Sequence, residues 1–314
     1  MTDRRRLIHF IALLLAPLIV AWYGLSVPAA LGLVLLLLVW RWMIVMSGFV
    51  APEKVPELVL ETISASHFVE KVRWCMDRLG VEYTEKPIGG TLGVFYRGRT
   101  VPELKARTGH VRSVIGNSPE ILRYLWGRYG YSDPAAAEFL EPTNERVELE
   151  RRLDKLGVSL QIWVYYRLLD ERDLTLHVWG ANSRDIPGWQ RLMLKVLFPL
   201  QRAQIRSAFR ISDESFARSV ANIEAVLTDM NASLKDGQKS LLGGDQPNYT
   251  DFAFAAMTGL WLMPPGYGGG KAEAVRLERD RMPEPMRMDV EAWEAANPHA
   301  VKFVQQLYAE QRRA

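Results

Sequence analysis

The stretch Ser64-Ala-Ser-His-Phe-Val-Glu-Lys-Val-Arg-Trp-Cys-Met-Asp-Arg-Leu-Gly80 decides how the rest of the chain is read. Ahead of it, Leu58-Val-Leu-Glu-Thr-Ile63 alternates well enough for a half-buried strand. Ser66 stands where a helix N-cap should, with Glu70 a turn later and Val69, Val72, Met76 and Leu79 on one face. Gly80 suits the residue that closes a helix, and Val81-Glu-Tyr-Thr-Glu85 resumes strand character. The spacing therefore predicts strand, helix, strand, with a hydroxyl at an exposed helix N-terminus. Backbone N–H groups and the helix dipole favour negative charge there, including a thiolate brought by a ligand.

At 314 residues the chain is long enough for a membrane segment plus two modest domains. A formal net charge of +3 with 24% charged residues gives no reason to invoke nucleic acid. The single cysteine, Cys75, excludes an internal disulfide and suits a reducing compartment. Its place beside Met76 in the middle of the predicted helix reads as a packing thiol.

Leu7 to Val50 carries one fully charged side chain, Arg41, and far exceeds one membrane span. About 20 apolar residues cross a bilayer, so the run predicts two helices, roughly Leu7–Leu25 and Val27–Met46. Gly24, Ser26 and Pro28 supply the turn between them. Residues 1–50 are thus expected to form a transmembrane hairpin, with the polar 51–56 as a linker. Arg4, Arg5 and Arg6 precede the first span, which predicts the cytoplasmic membrane with the globular part facing the cytoplasm. Arg41, between Trp40 and Trp42, reads as an arginine reaching the headgroups. A retained hairpin is favoured over a cleaved signal peptide, because the second apolar run follows almost at once.

The first globular part is expected over 57–131. It adds a hairpin, Glu103–Arg107 with Val111–Ile115 turning at Thr108-Gly109-His110, and a helix from Asn117 to Gly130. Tyr131 to Thr143 reads as a connection. From 144 to 314 the apolar residues step by three and four, as in Leu149, Leu153, Leu156, Leu160 and Trp163, which predicts an all-helical domain. Asn248 and Asp251 have the spacing of a reciprocal helix cap. Trp163, Tyr165, Tyr166 and Trp179 offer an aromatic surface, but at helical spacing they read as core. No metal-ligand spacing is evident.

Ser66-His-Phe-Val-Glu-Lys-Val-Arg73 resembles the first helix of glutathione transferases, where a Ser, Tyr or Cys activates glutathione. Thr100-Val-Pro-Glu-Leu104 resembles that family's Val-Pro turn, with its cis proline, and Gly116-Asn-Ser-Pro-Glu-Ile-Leu-Arg-Tyr-Leu125 resembles its γ-glutamyl-binding helix start. Leu242-Gly-Gly-Asp-Gln-Pro-Asn-Tyr-Thr-Asp-Phe252 resembles the segment that opens its C-terminal core helix. The resemblance implies a thioredoxin-like α/β domain followed by an all-α domain, here preceded by two transmembrane helices.

It also implies that Ser66, with Ser64 as the alternative, donates to the sulfur of glutathione. Val101 and Pro102 would pair with the cysteinyl backbone, and Asn117 and Ser118 would hold the γ-glutamyl group. Arg97 and Arg99 are either contacts for the glycyl carboxylate or solvated surface charge. Asn117 departs from the family, which usually has a carboxylate there. The function implied is conjugation or reduction of lipophilic electrophiles with glutathione as co-substrate and no metal. The partners expected are the electrophile, the lipid bilayer and a second copy of the chain. The alternatives are a non-catalytic membrane scaffold of the same fold and a specialised glutathione-dependent lyase or dehalogenase.

Overall fold

The computed structural model describes residues 8, 11–12, 15–16, 19–20, 22–24, 26–46, 54–90, 92, 101–109, 111–234 and 237–312. The chain divides into two compact units, Met1–Leu58 with Lys105–Val114, and Val59–Leu104 with Ile115–Ala314.

In the first unit, helix α1 (Val27–Met46) coincides with the second expected span. Its 20 residues rise about 30 Å, the thickness of a hydrocarbon core. Apart from Arg41 it is apolar all round, and Leu31, Leu35, Leu36 and Trp42 point outward uncovered. Among the described residues it is the one helix long and apolar enough to cross a membrane. Of the expected Leu7–Leu25 span, residues 8, 11–12, 15–16, 19–20 and 22–24 are described, and those up to Trp22 are helical.

The chain then runs through β1 (Glu57–Thr62), α2 (His67–Arg78), β2 (Thr84–Pro87), β3 (Glu103–Thr108), β4 (Val111–Gly116) and α3 (Ser118–Tyr129). The four strands form one sheet in the order β2-β1-β3-β4. β1 and β2 are parallel, with Val59 opposite Thr84 and Thr62 opposite Pro87, as a strand–helix–strand crossover requires. β2 starts three residues later than the alternation predicts. The cause is the helix cap: Gly80, at φ 65°, donates to Asp77 O, and Val81 N donates to Met76 O. That double closure takes Val81 out of the strand.

A short helix α4 (Pro134–Ala137), capped by Asp133, lies within the expected connection. The helical part follows as α5 (Asn144–Leu168), α6 (Arg172–Val178), α7 (Gly188–Val196), α8 (Phe198–Ala208), α9 (Asp213–Ser233), α10 (Tyr249–Leu262), α11 (Glu284–Ala296) and α12 (Pro298–Gln311). No strand occurs among the described residues after Gly116. α10 is buried along its whole length and packs on α2, α5 and α12. The Asn248–Asp251 capping box opens it. A second oxygen of Asp251 accepts from Leu241 N at 2.7 Å, tying the preceding loop to the same helix. Trp163 is fully buried and donates to Asp289, and Trp179 lies in a core with Leu169, Leu176, Leu194 and Phe198, so both are packing residues.

Candidate functional site

α2 begins at Ser66, whose backbone is extended at φ −72° and ψ 125°. Its hydroxyl oxygen accepts from Val69 N at 3.4 Å, a long capping bond. A hydroxyl keeps its proton while it accepts, so Ser66 caps its helix and still has a hydrogen to donate.

Both neighbours of Ser66 are fastened. Tyr267 Oη donates to Ala65 O at 3.1 Å. His67 Nε2 lies 2.9 Å from Gly157 O, on α5. A carbonyl only accepts, so this nitrogen carries the proton. Burial pushes the imidazole down to about 4, and the bond to Gly157 offsets only part of that, so the ring stays neutral. A polar residue on the first turn of a helix ordinarily faces solvent, but His67 is buried at 4% exposure. The contact needs glycine at 157, because a Cβ there would stand 2.7 Å from both Met257 Sδ and Phe68 Cζ.

Below the first turn, α2 buries three charged side chains that periodicity assigns to solvent. Glu70, Lys71 and Arg73 are each 0% exposed. Arg73 donates to Glu70 at 3.1 Å and to Glu85 of β2 at 2.6 and 3.1 Å. Arg312, beyond the end of α12, donates to Glu70 at 2.8 Å and to Asp77 at 2.7 Å. Lys71 lies between Glu150 at 2.8 Å and Asp154 at 2.9 Å, both on α5. The partners lie up to 242 residues away, and no local pattern announces them. Two carboxylate-centred clusters thus clamp α2 to the sheet and the helical part. Cys75 is fully buried on the same helix, and burial pushes its thiol up, out of the range of a reactive thiolate.

The second group of candidates meets at the base of the β3–β4 hairpin. The Val101–Pro102 peptide is cis, as the resemblance implies. Pro102 O accepts from Asn117 N at 3.2 Å, which takes one of that carbonyl's two acceptor positions. The N–H and C=O of Val101 make no backbone bond among the described residues and remain the pair an added strand would use. Asn117 has φ 70° and ψ 139°, a sparsely populated backbone state for a residue with a Cβ. Its Oδ1 turns back onto Ser118 N at 3.0 Å and caps α3. Ser118 is fully buried, and its hydroxyl has no hydrogen-bond partner among the described residues. A desolvated, unpaired hydroxyl costs about 1–3 kcal/mol. Here it sits at a helix N-terminus, where an anionic oxygen would satisfy it.

Ser66 and Ser118 thus stand at the N-termini of two helices, α2 and α3, that pack on each other. Ser64 is buried at 9% exposure, one residue before the anchored Ala65. Arg97 and Arg99 lie outside the described residues.

No protein-family model matches the chain, and no curated protein matches it. Solved structures do. A glutathione S-transferase from Methylobacterium radiotolerans, in complex with glutathione sulfonate, is 18% identical over 81% of this chain and 91% of its own, with a TM-score of 0.50. Glutathione transferase from Phanerochaete chrysosporium is 15% identical over 83% of this chain and 99% of its own, also at 0.50. At such identity the likeness is one of fold. The fold is glutathione transferase-like: a small mixed sheet with a mostly helical C-terminal part.

Proposed function

We propose that the protein is a membrane-anchored glutathione transferase acting on lipophilic electrophiles. The observation that carries this reading is the Ser118 hydroxyl, buried and without a partner among the described residues at the start of α3, beside the Pro102–Asn117 bond. A γ-glutamyl carboxylate accepting from Ser118 would relieve that cost. Val101 would pair with the cysteinyl backbone, bringing the sulfur toward the N-terminus of α2. There the Ser66 proton and the helix dipole would stabilise the thiolate, a thiol of pKa about 8.5 being mostly protonated at neutral pH. The thiol proton leaves to solvent, the sulfur attacks an electrophilic carbon, and the leaving group departs with the bonding pair. Fixed positions for Ala65 and His67 supply the preorganisation that such a donor needs.

α1 and the apolar run before it would form the anchor, with Arg4–Arg6 holding the N-terminus and the globular part on the cytoplasmic side. Fold alone does not fix function, and one observation favours the scaffold reading. Asn117 spends its amide oxygen on Ser118 N, where a carboxylate would leave a second oxygen for the γ-glutamyl amine.

Detergent-solubilised full-length protein applied to immobilised glutathione, with turnover of an activated aryl halide measured alongside, separates the two. Retention and turnover are expected of the enzyme. Flow-through with no turnover would leave the scaffold.

A further inference from the structure

We propose that α7 and the start of α8 form a second membrane contact, lying in the headgroup region of an anionic bilayer. On α7, Trp189, Leu192 and Val196 fall within about 60° of one another around the helix. They are 62%, 62% and 63% exposed. Leu200, in the first turn of α8, extends the stripe at 54%. The opposite side is occupied: Leu194, Phe198 and Ile205 fill the core with Trp179. The helix therefore has an inner apolar face that is packed and an outer one that is not.

Charge decides what covers the outer face. Between Arg184 and Arg210 the segment carries six cations and one carboxylate, Asp185, in a chain whose net charge is only +3. Arg202 and Arg206 close onto Asp170. Arg184, Arg191, Lys195 and Arg210 make no ion pair among the described residues, and the exposed Lys195 lies on the flank of the stripe, one step of about 60° from Leu192. A second copy of the chain would bring this cationic face against itself, whereas anionic headgroups complement it. An indole at one end, aliphatic side chains between and cations alongside are what an interfacial helix requires. The chain also carries α1, which raises the local concentration of bilayer if it spans. That part rests on the proposed anchor; the stripe and its charge do not.

The consequence reaches the proposed chemistry. Trp189 and Gln190 also line a cavity of about 520 Å3 with the apolar Pro87, Ile88 and Leu92 and the charged Glu61, Lys86 and Asp185, at the C-terminal ends of β1 and β2. A docked α7 sets the rim of that cavity at lipid level, where a lipophilic ligand can enter from the bilayer.

The buried Cys75 leaves any introduced surface cysteine as the only accessible thiol. Leu192→Cys, Leu36→Cys and, on exposed α5, Arg151→Cys are each labelled with an environment-sensitive fluorophore. Each full-length chain is then placed in phosphatidylglycerol-containing nanodiscs with spin-labelled lipid. The label at 192 is expected to shift to the blue and to quench severalfold more than that at 151. Adding Arg191→Glu and Lys195→Glu should reverse most of that quenching. Quenching at 36 with an aqueous label at 192 would overturn this contact and leave the anchor standing. Quenching at 192 but not at 36 would support the contact and remove the anchor. A blue shift at 192 in lipid-free detergent with a doubled mass would assign the face to a second copy and overturn the proposal.

Discussion

His67 Nε2 and the Gly157 carbonyl oxygen, 90 residues apart, meet at 2.9 Å inside the protein. The bond holds the first turn of the helix that carries Ser66 against α5, and burial of the ring, which disfavours its charged form, keeps the imidazole neutral.

That makes the junction sensitive to acid. The unfolded ring binds a proton near its ordinary 6.5, and the folded ring not until about 4. Between those values the unfolded state holds more protons, so stability is present above pH 6.5 and falls as pH drops through the window. The loss approaches about 3 kcal/mol at the acid end. Melting temperature followed from pH 7 to pH 4 should fall, and His67→Gln, which keeps an N–H donor but does not titrate, should flatten that slope. The same slope in both proteins would show that His67 is not its source.

Arg312, just past the end of α12, ties that helix to the buried Glu70, to which Arg73 also donates. Removing one partner of a buried pair costs about 3–5 kcal/mol, and the remaining Arg73 sets the expectation at the lower end. Arg312→Met should lower the denaturation midpoint accordingly with an unchanged slope. A midpoint equal to wild type would mean that the C-terminal contact contributes nothing.

Much of this was legible in the sequence, and what was not has a common cause. Ser66, Gly80, Asn117, Asn248 and Asp251 take the capping places that their residue types and spacing predict, because capping is a local bond between near neighbours. The helix of Val27–Met46 was legible from length and composition alone. The burial of Glu70, Lys71 and Arg73 was not, since charged residues read as solvent-facing until their distant partners are known. His67 failed in the same way. The Asn117 N–H bond to the Pro102 carbonyl and the inward-turned amide of Asn117 depend on how the hairpin closes, which no spacing states.

For Ser66 the long capping bond separates two roles. Loss of a donor to a developing thiolate typically costs on the order of 10²-fold in rate, whereas a 3.4 Å cap should contribute no more than about 1 kcal/mol. Ser66→Ala should therefore slow conjugation at neutral pH far more than it lowers the melting temperature. A lowered melting temperature with unchanged rate would make the residue a cap alone.

Asn117→Asp keeps an oxygen for Ser118 N and adds a second, charged one. Charge-assisted bonds contribute about 1.5–3 kcal/mol against about 1 for neutral ones, so glutathione should bind roughly threefold to thirtyfold more tightly. Titration calorimetry at low and moderate salt reads the difference. Equal affinities would show that residue 117 does not face the γ-glutamyl amine.

The most direct test of the whole account is calorimetric titration of the solubilised full-length protein and Ser118→Ala with glutathione. Alanine removes a buried hydroxyl that has no partner among the described residues, so the variant should fold at least as stably as wild type. If that hydroxyl receives the γ-glutamyl carboxylate, wild type binds and the variant loses roughly tenfold to a hundredfold in affinity. Equal binding by the two proteins, or no heat from either at millimolar glutathione, would contradict it.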